Sequence, residues 1–296
     1  MNWWFVLAVS AVLLLVYAIF IERLRLILDQ HVVVLNKQRK PGFSLRILHI
    51  SDLHVGGRSL FRRWQLRRWR QRLQTLDYDV VAYSGDLIED GSGIDPAVAF
   101  LVQVAEGRPI LAVLGNHDYH NYSWLENILN VHTLQKMGLI SDIALNNNIR
   151  RLLETAAHEG IFFLSNEGRL VRVGDSAVWF AGIDDLMLGT PNLNRALQAA
   201  PPHVPQVLIS HNPDILPWAE MAGVDIILSG HTHGGQVRLP GLGPILTRCK
   251  IDRKKAAGLS LTRNGALHVS RGLGETLPVR ILCAPQATII EIRGQS

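Results

Sequence analysis

The chain has 296 residues, of which 48% are hydrophobic and 19% are charged, and its formal net charge is +5. This length is enough for one large domain or two small ones with a sizeable core, and the weak positive charge favours acidic partners such as phosphates or anionic lipid. Only two cysteines occur, Cys249 and Cys283, which argues against a disulfide framework and excludes a thiolate metal site.

An uncharged apolar run opens the chain, from Trp3 to Ile21. It meets the roughly 20-residue requirement for a helix that crosses a bilayer, and the aromatic residues Trp3, Trp4 and Tyr17 suit the two interfaces. A cleaved signal peptide is the alternative, but no Lys or Arg precedes the run and no clear small-x-small site follows it. We therefore expect an uncleaved transmembrane anchor over residues 1–22.

The charges that flank this run predict its orientation. The basic residues that follow it are Arg23, Arg25, Lys37, Arg39 and Lys40. By the positive-inside rule, the bulk of the chain then faces the cytoplasm. We expect a helical extension followed by a basic juxtamembrane linker over residues 23–44, and one globular domain over residues 45–296.

From Leu45 onward, short apolar runs alternate with segments of helical spacing. Runs rich in Val and Ile predict buried strands at 45–50, 79–83, 109–114, 177–182, 205–209 and 224–228. Helical spacing occurs at 62–76, 96–105 and 149–158, and the tail adds expected strands at 266–270, 279–283 and 287–292. Strands that alternate with helices predict a layered α/β fold with a largely buried sheet.

Potential metal ligands follow five of these predicted strands. They are Asp52, His54, Asp86, Asn116, His211, His231 and His233, with His117 and Asp118 as further polar residues. Loops beyond the carboxyl ends of strands converge in α/β sheets, so we expect these side chains to meet. Imidazole and carboxylate ligands without thiolate suit Zn, Fe or Mn. Because they outnumber the four ligands of one tetrahedral ion, we expect two cations bridged by Asp86.

The motifs SDLH, GD, GNHD, SH and GHTH, in this order, resemble those of the calcineurin-like metallophosphoesterases. The tail VSRGLGETLPVRILCAP is similar to the ending of their bacterial membrane-associated branch. The resemblance implies a four-layer α/β/β/α sandwich with a dimetal site at one edge. One metal would take Asp52, His54, Asp86 and His233, and the other would take Asp86, Asn116, His211 and His231. His117 would protonate the leaving group or stabilise the phosphoryl group, oriented by Asp118.

These expectations describe a membrane-anchored dimetal phosphohydrolase at the bacterial inner membrane, in which a metal-bridging hydroxide attacks phosphorus in line. Of the candidate metals, Mn is favoured. The resemblance also implies the substrate class: some members of the branch hydrolyse simple phosphodiesters, and others hydrolyse the pyrophosphate of UDP-2,3-diacylglucosamine during lipid A biosynthesis. Membrane attachment favours the second, lipid-linked kind of substrate. Two alternatives stay open: a phosphodiesterase acting on nucleotides or nucleic acid, and a membrane adaptor with a vestigial site. No nucleic-acid module is recognised and no ligand is lost, so neither is preferred.

A basic stretch follows the first motif. Residues 58–74 hold seven arginines, two tryptophans and no acid. We interpret it as an interfacial helix that directs arginines to anionic headgroups and Phe61, Trp64 and Trp69 towards acyl chains; a solvated basic face is the alternative. A second basic cluster could grip phosphates at the same surface; it comprises Arg248, Lys250, Arg253, Lys254 and Lys255. Glu89 and Asp90 are candidates for supporting contacts or for simple solvation.

Overall fold

The computed structural model describes residues 3–35, 43–57, 60–128 and 145–294. Its first element is the apolar helix α1 (Trp3–Val16), which continues through a π turn (Tyr17–Ile21) into a 3₁₀ turn (Glu22–Leu24). Together they form a helix of 22 residues that is long and apolar enough to cross a membrane. Only 6% of its most apolar stretch of 18 residues is buried inside the protein. The N-terminal helix is thus a candidate membrane span.

The segment after this helix differs from the expected helical extension and linker. The helix ends at Leu24, and Ile27–Leu35 form strand β1. β1 pairs in parallel over its whole length with the last strand, β14 (Gln286–Gly294). Alternate apolar side chains on β1, such as Val33 and Leu35, are buried and explain the pairing. The remaining part of the expected linker, 36–42 with Lys37, Arg39 and Lys40, lies outside the described residues.

Two six-stranded sheets form the body of the protein. Sheet I has the order β1, β14, β2 (Ser44–Ile50), β3 (Val80–Ser84), β4 (Ile110–Val113) and β5 (Ile161–Phe163). Sheet II has the order β12 (Gly258–Leu261), β13 (Ala266–Val269), β9 (Ile226–Ser229), β8 (Gln206–Ile209), β7 (Ser176–Gly182) and β6 (Glu167–Val173). Strands β2 to β5 are parallel, as are β7, β8, β9 and β13.

Most helices of the globular body lie on the outer faces of the two sheets. Those on sheet I are α2 (Leu60–Leu73), α3 (Ile94–Ala105) and α6 (Ile149–His158), and those on sheet II are α7 (Leu193–Leu197) and α8 (Leu216–Met221). Two short helices, α4 (Asn116–Tyr119) and α5 (Trp124–Ile128), follow β4. A two-stranded hairpin, β10 (Arg238–Leu239) and β11 (Gly243–Pro244), follows β9.

Alternate side chains of each strand point to opposite faces of its sheet, and the buried apolar side chains form three clusters. Leu48 and Val81 face the buried side chains of α2, α3 and α6, whereas Ile47 and Val80 face sheet II. On the far side of sheet II, Leu208 and its neighbours pack against α7 and α8. Because successive side chains of a strand point to opposite faces, strands with apolar residues at every position are buried on both sides. This arrangement is the predicted α/β/β/α sandwich, and the prediction is confirmed.

Two further expectations need correction. Residues 279–283 do not form a strand; among them only Ile281 makes a bridge, to Val237, because Arg280 turns inward and its guanidinium donates to main-chain carbonyls. In α2, Trp69 is only 2% exposed and belongs to the core, so it cannot reach acyl chains as expected. Trp64 is 44% exposed, with the Arg68 guanidinium over its ring.

Candidate active site

The predicted ligands converge at the carboxyl ends of five parallel strands. Asp52 and His54 follow β2, Asp86 follows β3, and Asn116 follows β4 in sheet I. His211 follows β8, and His231 and His233 follow β9 in sheet II. All seven side chains belong to residues that are at most 8% exposed. The two sheets therefore bring every predicted ligand to one edge of the sandwich, beneath a single opening.

Five of these seven residues have a left-handed backbone. Their φ angles are 51° for Asp52, 45° for His54, 57° for Asp86, 68° for His231 and 49° for His233. Non-glycine residues avoid this region because Cβ crowds the main chain, at a cost of about 1–2 kcal/mol each. Such strain persists only where the surrounding structure enforces it, and it clusters at functional sites.

The first cluster joins Asp52, His54, Asp86 and His233, each of which offers one ligand atom to a common point. The Nε2 atoms of His54 and His233 are 3.2 Å apart. His54 Nε2 lies 3.6 Å from Asp86 Oδ2, and His233 Nε2 lies 3.6 Å from Asp52 Oδ1. Two imidazole nitrogens and two carboxylates at this spacing provide a donor set for a divalent cation.

The second cluster joins Asp86, His211 and His231, with Asn116 beside it. His211 Nε2 lies 3.1 Å from Asp86 Oδ2, while His231 Nδ1 is 3.2 Å from His211 Nε2 and 3.1 Å from Asn116 Oδ1. The other carboxylate oxygen, Asp86 Oδ1, accepts the His117 N–H at 2.8 Å. Asp86 Oδ2 is thereby directed between the two clusters, which is the position of a bridging ligand.

Partners outside the clusters hold three imidazoles in the tautomer that a metal requires. His54 Nδ1 faces Glu89 Oε2 at 2.9 Å, and His211 Nδ1 faces the Ser84 carbonyl at 2.8 Å. His231 Nε2 faces the Arg248 carbonyl at 3.4 Å. Because oxygen acceptors of this kind take the N–H of a neutral imidazole, the opposite nitrogen of each ring keeps its lone pair towards the cluster.

The donor set fits two divalent cations. Asp52 Oδ2 is buried without a hydrogen-bond partner, whereas buried polar atoms are nearly always paired. Two imidazole nitrogens at 3.2 Å, as in His54 and His233, bring lone pairs together unless a cation or proton lies between them. Cations bound to both clusters would satisfy these groups, with the ligands that the sequence predicts.

The electrostatics of the side chains alone show how strongly the site attracts positive charge. Burial disfavours the imidazolium of His211, but the adjacent Asp86 carboxylate raises its pKa to about 10. Burial also opposes ionisation of Asp86, yet His211 and His117 hold the pKa of Asp86 well below its usual range. Burial and the positive charge of His211 lower the pKa of His231 to about 3. A bound cation would displace the proton from His211 Nε2.

The two residues predicted as catalytic have different surroundings from those expected. The Asp118 carboxylate does not orient His117; its oxygens accept the main-chain N–H groups of Asp86, Leu87, Ile88 and Gly115 at 2.8–3.0 Å. Four such donors leave no room for an imidazole, so Asp118 fixes the loop after β3. The group that faces His117 is Glu89, whose Oε2 lies 3.3 Å from His117 Nδ1.

Glu89 thus contacts two histidines of the site. The sequence analysis named it only as a candidate for supporting contacts and did not predict this role. Burial raises its pKa, but the more numerous interactions with His117 and His54 lower the pKa to about 2. The carboxylate therefore stays ionised, holds Nδ1–H of His54 and faces Nδ1 of His117. Asn147 Nδ2 donates to the His117 carbonyl at 2.7 Å and to the Glu89 carbonyl at 3.2 Å, which fixes the two residues relative to each other.

A cavity of about 390 Å³ opens over the two clusters. Its floor includes Asp86, Asn116 and His117, and Arg248 and Tyr122 stand at its side. The Arg248 guanidinium donates to the carbonyl of Asn127. A pocket with carboxylates and imidazoles at its base and a guanidinium at its side can bind a phosphate group together with the cations that neutralise it.

Comparison with known proteins agrees with this geometry. The calcineurin-like phosphoesterase family model matches residues 45–235, which contain all seven predicted ligands. Metallophosphoesterase YkuE of Bacillus subtilis (strain 168), described as uncharacterized, is 27% identical over 85% of this chain and 80% of its own. Phosphodiesterase YaeI of Escherichia coli (strain K12) is 30% identical over 65% of this chain and 61% of its own. UDP-2,3-diacylglucosamine pyrophosphatase LpxG of Chlamydia muridarum (strain MoPn / Nigg) is 24% identical over 83% of each chain.

Proposed function

The chain belongs to the calcineurin-like phosphoesterases and is a metal-dependent hydrolase, and we propose that it is anchored in a membrane and cleaves a phosphodiester or pyrophosphate bond of a lipid-linked substrate. UDP-2,3-diacylglucosamine is the substrate we favour, because relatives that carry this activity in their names share 24% of their residues with the chain over most of its length. Membrane attachment and the position of the site, described below, support the lipid-linked class.

We assign one cation to Asp52, His54, Asp86 and His233, and the other to Asp86, Asn116, His211 and His231. The shared Asp86 Oδ2, the unpartnered Asp52 Oδ2 and the close approach of His54 Nε2 to His233 Nε2 support this assignment. The mixed nitrogen and oxygen donors suit Mn, Fe or Zn, and we favour Mn. Two such ions, when bound, polarise a phosphoryl oxygen and lower the pKa of bound water.

His117 carries the proton chemistry in this proposal. The main-chain N–H of His117 donates to Asp86 Oδ1, and its side-chain Nδ1 faces the ionised Glu89. These two contacts hold the ring at the floor of the cavity. With Nδ1–H directed at Glu89, Nε2 is the atom that delivers a proton to the departing oxygen. Glu89 is a positioning residue, because it acts through His54 and His117.

One observation carries the lipid-linked assignment: the base of the apolar helix is bound to a wall of the active site. The Arg280 N–H donates to the Ala18 carbonyl at 3.1 Å, and Glu275 forms an ion pair with Arg23 at 2.6 Å. The intervening residues Thr276 and Leu277 line the cavity. If the helix spans a bilayer, the opening lies at the membrane surface, where the phosphate of a lipid is presented.

The side of the membrane follows from charge. Arg23 and Arg25 directly follow the apolar run. We propose a single span in the bacterial inner membrane, with the catalytic domain in the cytoplasm. The exposed arginines of α2, among them Arg63 and Arg67, face anionic headgroups in this orientation, since Arg23 at the base of the span stacks on Phe61 in the first turn of α2.

The test uses the full chain, solubilised in detergent and loaded with Mn²⁺, with bis-p-nitrophenyl phosphate and UDP-2,3-diacylglucosamine as substrates. We expect release of UMP from the lipid, abolished by EDTA and reduced about 10²-fold or more by His117→Ala. His158→Ala is the control, because the side chain of His158 is exposed and far along the chain from the site. If only the model diester is hydrolysed, the protein is a phosphodiesterase and the lipid substrate is disproved. If neither substrate is hydrolysed by protein that retains two metals, both activities are disproved.

A further inference from the structure

The outer wall of the active-site cavity is apolar. Besides the carboxylates and imidazoles, the cavity is lined by Val237, Ile245, Leu246 and Leu277, which we call the apolar wall. Ile245 and Leu246 are 50% and 55% exposed, although they adjoin the most polar part of the molecule. A cavity with a charged floor and an aliphatic side fits a ligand that is itself divided into a polar and an apolar part.

The apolar surface continues beyond the cavity. Leu239 and Leu242 on the β10–β11 hairpin are 44% and 78% exposed, and Leu282 beside it is 49% exposed. Single exposed leucines are ordinary on a protein surface, but a group of them on one hairpin next to a site marks a binding or membrane surface. Within residues 237–246, the one charged side chain is Arg238, which donates back to the Gly234 carbonyl.

The apolar wall is linked to the base of the apolar helix by two consecutive residues. The N–H of Arg280 donates to the Ala18 carbonyl within the π turn. The next residue, Ile281, pairs with the hairpin: its N–H donates to the Gln236 carbonyl at 2.9 Å, and its carbonyl accepts the Arg238 N–H at 3.0 Å. The hydrogen-bonded path from the helix to Val237 is therefore short and ordered, which places the hairpin at the end of the helix.

We infer that the apolar wall is an acyl-chain subsite, in which a hydrocarbon chain of the substrate lies against Ile245, Leu246 and Leu277 while its phosphate lies over Asp86 and His117. This inference rests on the proposed hydrolysis of a lipid-linked phosphate and names the residues that recognise its lipid. The hydrocarbon chain would leave the cavity across the hairpin towards the base of the apolar helix. The substrate would then not have to leave the bilayer completely. The wall would then set preference for chain length.

The expected effect is a dependence of turnover on chain length. Burial of one methylene is worth up to about fourfold in binding, and partial exposure of the wall reduces this to about twofold. We therefore expect kcat/KM for alkyl p-nitrophenyl phosphates, which are simple diesters, to rise about twofold per methylene from ethyl to octyl. The full chain is used in detergent at fixed concentration, and release of p-nitrophenolate is measured.

Leu246→Gln and Leu277→Gln test the wall. For each protein the rates are divided by its own rate on the ethyl ester, and the slope against chain length is compared. We expect the slope per methylene to fall by about half in both variants. Leu261→Gln is the control, because Leu261 is 82% exposed on the edge strand β12 of sheet II, and it should keep the wild-type slope. All four proteins see the same partitioning of each ester into detergent, which the comparison cancels.

Other outcomes overturn the inference in distinguishable ways. A flat slope in the wild type, with the ethyl ester hydrolysed, would mean that no acyl subsite exists while the hydrolase remains. Equal slopes in all four proteins would mean that the alkyl chain binds elsewhere or that the dependence on chain length comes from the detergent alone. If the wall variants also lose the same activity on every ester, including the ethyl ester, the wall would support the reaction centre and would not bind the alkyl chain. Failure of the metal-loaded wild type to cleave even the ethyl ester would overturn the proposed diesterase and, with it, the inference.

Discussion

At the scale of single residues, the site depends on glycines that let the main chain pass close to the ligands. Gly85 has φ of 88°, and a Cβ at this position would lie 2.5 Å from His211 Nδ1. That nitrogen must also donate to the Ser84 carbonyl for Nε2 to face Asp86. No side chain larger than hydrogen fits between the loop and the imidazole.

We expect Gly85→Ala to lower kcat/KM on a model diester by about 10²-fold or more, because displacement of His211 misplaces a metal ligand. The matched control is Gly107→Ala. Gly107 has nearly the same φ, 85°, but nothing lies within 4 Å of its added Cβ. It should lose about 1–2 kcal/mol of stability from backbone strain and keep its activity. Steady-state kinetics and thermal unfolding of both variants decide the matter: equal activity of the two would show that the close approach at Gly85 is not needed.

The limits of sequence reasoning at this scale lie in side-chain orientation. Residue type and position after a strand were enough to predict that the seven candidate ligand side chains meet at one place. The partner of His117 was not predictable, because Asp118 is adjacent in sequence but turns towards four N–H groups, whereas Glu89 arrives from the loop after β3. His49, which sits within a strand pattern, is buried with His268 and Ser84 at its two nitrogens.

At the scale of elements, a buried ionic cluster fastens the apolar helix to the globular body. The Glu275 side chain is 1% exposed and pairs with Arg23 at 2.6 Å and with Arg280 at 3.3 Å. Arg280 is fully buried and donates to the carbonyls of Arg271 and Cys283. Burial alone would raise the pKa of Glu275, but Arg62, Arg280 and Arg23 together lower it. The ionised carboxylate is therefore what compensates the buried guanidinium.

We expect Glu275→Gln to reduce the free energy of unfolding by about 3 kcal/mol at pH 7, because it leaves a buried cation without its partner. Since the folded-state pKa is lowered, the contribution of Glu275 is present above its ordinary pKa of 4.5 and is lost as the pH falls through the lower folded value. The gap in unfolding temperature between wild type and variant should therefore be widest near pH 7 and narrow below about pH 4.5.

The exposed carboxylate of Glu159 provides the control, and Glu159→Gln should leave the unfolding temperature within a degree or so at every pH. A gap for Glu275→Gln that stays constant from pH 7 to pH 3 would show that the carboxylate contributes by packing or by hydrogen bonding and not by its charge.

The secondary structure was predictable where the apolar pattern is strong and local. The six internal strands and the helices α2, α3 and α6 lie within a few residues of their predicted bounds, because strands buried on both faces read as continuous apolar runs. β1 was missed because its apolar residues follow an anchor and its partner, β14, is more than 250 residues away. Residues 279–283 have a strand-like composition, but burial of Arg280 among carbonyls outweighs it.

At the scale of the whole molecule, the proposed membrane topology rests on the distribution of charge around the apolar run. Arg23 is bound to Glu275 in the folded protein, but these residues are 252 positions apart, so this pair forms only after the apolar run has been inserted. In the proposed topology, Arg23, Arg25 and the basic residues of 36–42 are positive charges on the C-terminal side of the run during insertion. By the positive-inside rule, we therefore expect the catalytic domain in the cytoplasm.

This orientation can be measured by labelling single cysteines with a maleimide that does not cross membranes. The variants are made in a Cys249→Ser background, and Cys283 stays unlabelled because it is fully buried. We expect Leu261→Cys to react in inverted inner-membrane vesicles and not in intact spheroplasts, because Leu261 is 82% exposed on the globular body. Asn2→Cys, on the other side of the apolar run, should show the opposite pattern. Labelling of Leu261→Cys in spheroplasts would place the catalytic domain outside the cytoplasm, where cytoplasmic nucleotide-linked lipids do not reach it, and would exclude UDP-2,3-diacylglucosamine as its substrate.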